Sequence, residues 1–219
     1  MTEHPPRPVT GHPWGAVAPD GADTALGLAA RLGACCWAEQ QLFALLGGWA
    51  AEIGEPDVKL AVAEHADHAA WRAQRWYELL PTAPPGADTL VAAPTGVAPA
   101  LTAAAQVTAG PERTVEKLAV AHRVLVPALV AALRAHADWS SPVTEAAVGR
   151  VLAIALDDLL ADWSAGERLL RAVVTDDPEP ASALERARNA QAAVEVPLLA
   201  AGGLLGAGST GRRPVGWAS

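Results

Sequence analysis

The chain has 219 residues, 51% of them hydrophobic and 18% charged, with a formal net charge of −8 and two cysteines. That length makes one domain, or at most two small ones, and a core of this size buries roughly 70% of the unfolded surface, so neither metal nor disulfide is needed merely to fold. The apolar fraction excludes a wholly disordered chain. Acidic residues outnumber basic ones by 24 to 16 with no basic cluster, which argues against a nucleic-acid groove. Much of the apolar content is alanine, and the aromatics are eight Trp with one Tyr and one Phe, so the composition favours an all-α fold over strands.

Residues 1–22 are rich in Pro and Gly and lack periodicity, which predicts a flexible lead. The first helix is expected from an Asp23 cap to a stop at Gly54. The second starts at Glu55-Pro56, with proline at the first helical position, and ends before Pro81. A link from Pro81 to Gly110 follows, longer than the usual few-residue helix connection, with a short helix expected near Val97 to Thr108. The third helix follows Gly110-Pro111 and runs to about Ala137. The fourth follows Ser141-Pro142 and runs to about Thr175. A shorter fifth covers Ala181 to Val196. The helical bundle is thus expected over 23–200, with 201–219 as a flexible tail.

The chain opens without a charged region followed by an apolar run, so no secretory signal is expected. Cys35 and Cys36 are neighbours pointing ~100° apart on a helix and cannot easily pair. Two buried free thiols predict a reducing cytoplasm. The uncharged run near the end, 196–208, is Gly-rich and too short to span a bilayer, so no membrane partner is expected.

Helical wheels pick out polar residues at the centres of apolar arcs. On the first helix Glu39 lies among Leu28, Leu32, Cys35, Leu42, Phe43, Leu46, Ala50 and Ile53. A carboxylate there must be protonated, paired or metal-bound. On the second helix His65 lies within the arc, Arg72 beside it, and Glu64 and His68 on one flank. On the third, His122 is central, while Glu112 and Glu116 are expected to point outward. On the fourth, Asp158 and Asp162 are one turn apart on the arc, and would repel unless they share a proton or a cation. All these groups lie near helix middles, which meet in an antiparallel bundle. Carboxylate with imidazole suits Fe, Mn or Zn. Equally, Arg72 could neutralise Glu39 or Asp158 directly, giving an ionic network without metal.

Two helical hairpins joined by a long crossover, with these residues at one level, resemble the ferritin-like superfamily over about residues 23 to 175. That superfamily carries Glu on its first helix, Glu-x-x-His on its second, Glu on its third and Glu-x-x-His on its fourth. Glu39 matches the first position and Glu64 the second. Asp67 stands where the paired histidine belongs and His68 follows it. His122 replaces the third acid, and Asp158 and Asp162 stand on the fourth helix without a histidine. The resemblance implies a four-helix bundle with a short fifth helix. It also implies an iron- or manganese-dependent oxidase or oxygenase acting on a small molecule. Its metal ligands would be drawn from Glu39, Glu64, His65, His68, His122, Asp158 and Asp162. Arg72 would be an electrostatic partner, and Trp71, Trp76 and Phe43 would wall an apolar pocket. The alternative from another class is a non-catalytic bundle that binds a partner chain or small ligand and holds an Arg-carboxylate-His network in its core.

Two further signals weigh less. Gly206-Ala-Gly208-Ser-Thr-Gly211 has dinucleotide spacing, but lacks the strand before it and the helix and strand after it that such a site needs. Trp37 and Trp49 fall off the first helix's arc, which predicts a second apolar surface and a homodimer.

Overall fold

The computed structural model describes residues 25–140 and 145–206. The expected lead, and the tail from 207 onward, lie outside the described residues. Helix α1, Ala25–Glu52, draws on Ala and Leu, both strong helix formers. A three-residue turn leads to α2, Pro56–Glu78, where proline near the start costs no intrahelical hydrogen bond. These two helices form the most extensively packed pair in the molecule.

The crossover carries α3, Ala87–Leu90, and α4, Ala98–Val107. The backbone of α3 comes so close to α1 that a methyl group on Gly33 would collide with the Leu90 carbonyl. Only glycine admits that approach.

The third long helix is interrupted. α5, Thr114–Val120, passes through a π turn at Ala121–Leu125 into α6, Val126–Trp139. Pro127 explains the interruption. In a regular α-helix its ring would strike the carbonyl of Arg123, and it has no N–H to offer. The wider π turn removes that conflict. α7, Ala146–Asp176, returns along α5 and α6, and α8, Pro180–Ala200, packs on α4 and α5. α8 runs on through Pro197, past its expected end, because its buried row Ala183, Ala187, Ala190, Val194 and Leu198 continues beyond the proline. Residues 201–206, expected to begin the tail, form turns in which Leu204 and Leu205 bury against the core.

The chain is all-α among the described residues, with no strand there. Two hairpins, α1–α2 and α5/α6–α7, are joined by the crossover, and α2 meets α7 between them. The span Thr114–Asp138 is long and apolar enough to cross a membrane by length and composition, yet 67% of its most apolar window is buried among the other helices.

Three wheel readings need correction. Glu116 is not outward but 3% exposed, because α5 is enclosed by α7 and α8 and the acid meets Arg113 and Arg186. Trp49 is buried, and Trp37 packs partly buried against the same core. α1 is covered by α2, α3 and the π turn, so its buried arc is wider than one stripe. Phe43, placed on that arc, is 46% exposed.

Candidate functional site

Glu39, His65, Arg72, His122 and Asp162 come from α1, α2, α2, the π turn and α7, and all are buried. Glu39, His65, His122 and Asp162 sit where the apolar periodicity of their helices points inward, and Arg72 reaches them from beside its arc, so the same burial that builds the core brings these groups together.

Arg72 is the centre. Its Nε donates to Glu39 Oε1 at 2.8 Å, and its Nη1 donates to Asp162 Oδ2 at 3.2 Å. The other oxygen of Asp162, Oδ1, is 2.8 Å from His68 Nδ1 and 3.7 Å from His65 Nε2. The His68 side chain is 39% exposed, so it links the buried acid to solvent. His65 and His122 meet edge to face with ring centroids 5.1 Å apart. The His122 ring occupies the space where a side chain on Gly166 of α7 would be, and a methyl there would overlap it. Glycine at this helical position is what lets the π turn lie against α7.

Burial dominates the electrostatics. It raises the Glu39 carboxyl above its ordinary range; Arg72 opposes this, while Asp162 and Asp158 reinforce it. Burial works against the charge of Arg72, but Glu39 and Asp162 hold its pKa above the usual value, so it remains a cation. Burial also lowers His65, and it lowers His122 to about 3, with His65 adding to the effect. Both rings are therefore neutral at pH 7.

Several polar atoms here are buried without a hydrogen-bond partner among the described residues: Glu39 Oε2, Arg72 Nη2, His65 Nδ1 and both ring nitrogens of His122. Unpaired buried polar groups are costly, so these side chains are held here at the expense of stability.

The expected site residues divide cleanly. Glu39, His65, His68, Arg72, His122 and Asp162 converge. Asp158 is half-buried and acts on Glu39 only through its charge. Arg72 pairs with Asp162 rather than Asp158, because Asp162 is the more deeply buried of the two. Glu64 faces solvent, as its place on the outer side of α2 requires. Trp71 is 43% exposed and lies under the Arg75 guanidinium, 5.5 Å from ring centroid to Cζ, whereas Trp76 is fully buried. With Phe43 also on the surface, the three aromatics do not wall a common pocket. Gly166 was missed by the wheels, although an isolated glycine inside a long helical pattern is its signal.

Among the described residues, no three His, Cys, Asp or Glu side chains form a group that would hold a metal ion. Protein-family models, curated proteins and solved structures were compared with the chain, and none matches it.

Proposed function

We propose that the chain is a ferritin-like helical bundle whose central polar level is held by an arginine, and that it acts as a binding protein for a small ligand or partner chain. The observation that carries this reading is the position of Arg72, buried and hydrogen-bonded to both Glu39 and Asp162. These are two of the carboxylates that the ferritin-like resemblance assigns to metal. The guanidinium supplies the positive charge that a metal would otherwise bring to them. A divalent ion would have to share their oxygens with Arg72 at close range, against direct repulsion. The two hairpins and the long crossover support the ferritin-like arrangement.

The competing reading is an iron- or manganese-dependent oxidase or oxygenase. Metal content separates the two. The chain would be purified from cells supplied with iron and manganese, beside Glu39→Ala and Asp158→Asn, and its bound metal measured. Far less than one ion per chain, unchanged by either substitution, is the expected result. One iron or manganese per chain, lost in Glu39→Ala, would overturn the proposal.

A further inference from the structure

One residue along from His122, Asp162 and Gly166 stand Arg123, Trp163 and Glu167. These three border a hollow of about 490 Å³ between the π turn, α7 and α8, together with Pro127, Ser164, Arg171 and Gln191. A second hollow, of about 500 Å³, adjoins it and shares Arg123 and Pro127. Each lies in the size range of small-molecule sites.

The two differ in chemistry. The first carries two arginines against one carboxylate, a surplus of positive charge on a chain whose net charge is −8. Glu167 takes Arg123 Nε at 2.7 Å and Nη2 at 3.3 Å. That grip fixes the guanidinium plane while leaving its Nη1 without a hydrogen bond among the described residues. Arg171 is 76% exposed and only loosely held, with Nε 3.8 Å from Glu167. The second hollow is walled largely by small apolar side chains of α6, including Ala128, Ala131 and Ala132, and by Leu198 and Leu199 of α8; its one carboxylate, Glu195, accepts from Gln191 Nε2 at 3.3 Å. Leu199 is 70% exposed, as is Val196 at 67% one turn before it, so uncovered apolar surface continues along the rim.

We propose that the two hollows form one site for an amphipathic monocarboxylate, with its head on Arg123 and Arg171 and its unbranched apolar tail along α6 and α8. An arginine held in plane presents parallel N–H donors that match a carboxylate, and in the hollow that takes the head two guanidiniums face the one carboxylate of Glu167. The tail removes alanine and leucine surface from water, which supplies the apolar part of the affinity. Trp163 flanks the head and Pro127 stands at the junction of head and tail. This names a ligand class for the binding role proposed above and rests on that reading. Its loss would leave the Arg72 network untouched, because no residue is common to the two.

Titration calorimetry on the full chain tests it, with decanoate, decanol and hexanoate as probes. Decanoate is expected to bind saturably in the micromolar range, and decanol and hexanoate each at least about tenfold more weakly. Arg123→Gln and Arg171→Gln should each weaken decanoate by about tenfold while leaving decanol unchanged. Ala131→Glu, at an exposed position on α6, should abolish binding of both ten-carbon probes. No saturable binding of decanoate, equal binding of decanoate and decanol, or variants that bind as the unsubstituted chain does, would each overturn the proposal. Arg171 and Ala131 are exposed, so their variants read out binding even where Arg123→Gln disturbs the fold.

Discussion

Buried charge occurs at two levels of this bundle, and the two are satisfied very differently. Beside the α1–α2 turn, Lys117 is fully buried, yet its ammonium reaches Glu52 Oε2 at 2.7 Å and the Gly110 carbonyl at 2.6 Å. Close by, Thr114 donates to Glu55 at 2.9 Å, and Glu116 is shared by Arg113 and Arg186. These contacts tie the start of α5 to the α1–α2 turn and to α8. At the middle of the bundle, Arg72 also has two partners, but among the described residues Glu39, His65, His122 and Arg72 itself retain five unpaired buried atoms, against one, Glu116 Oε2, at the end. The end cluster borders solvent, since Glu52 is 47% exposed, and water shares its cost. At the centre, the 39% exposed side chain of His68 is the outlet among the described residues. A buried polar level that is both paired and under-satisfied is costly to keep, so its members depend on one another more strongly than those at the end.

That contrast can be broken first at Arg72. Arg72→Met strands Glu39 and Asp162 in the core, and denaturant titration should show a loss of about 3–5 kcal/mol. Replacing all three, with Glu39→Leu and Asp162→Leu added, should recover most of it, because apolar groups need no partners. A triple variant no more stable than the single one would sink the network account. Next comes Gly166→Ala, which forces a methyl into the His122 ring and should cost about 1–3 kcal/mol. His122→Ala in the same chain should relieve that cost, and additive losses would show that the contact does not exist.

A pH series sharpens the comparison further. His122 has a folded pKa of about 3, below its ordinary 6.5, so the unfolded chain takes up a proton first as pH falls. Stability contributed by the neutral ring is complete above about pH 6.5 and drains away down to about pH 3. The slope from this group reaches about 1.4 kcal/mol per pH unit at most. His122→Leu should flatten that part of the curve, and an unchanged acid limb would contradict the burial. The smallest effect belongs to the end cluster. Lys117→Met leaves Glu52 free to rotate into water, and should cost about 1 kcal/mol, well short of Arg72→Met. Equal losses at the two sites would erase the distinction drawn between them.

How much of this is readable before folding depends on the scale of the signal. The helices are legible because prolines and glycines punctuate long alanine- and leucine-rich runs, and Pro56 and Gly54 mark one boundary unambiguously. Glu39, His65 and Asp162 are legible because each interrupts an apolar stripe. What the stripe cannot say is which partner each polar group meets. Arg72 lies beside its arc on the wheel, but its long side chain crosses the bundle to reach acids on two other helices. Glu116 defeats the wheel for another reason: α5 is enclosed all round, so no outward face exists for it to occupy. The π turn is invisible to a wheel drawn at one fixed angle per residue, although Pro127 inside an otherwise helical run announces it.

The π turn has one more consequence. A regular α-helix advances about 100° per residue, so an extra residue held in a wider loop acts as a phase shifter between the stretches on either side. Here it separates α5, which has packing neighbours on every side, from α6, which keeps exposed positions. It also carries, side by side, His122 facing α7's glycine and Arg123 facing Glu167. Deleting one residue from Ala121–Leu125 would remove the extra residue that the wider turn accommodates, while Pro127 would still bar a regular α-helical turn there. The shortened segment could then present only one of those two neighbours in its present direction. The chain's inner polar level and its outer arginine hollow are therefore set by the same local change of pitch.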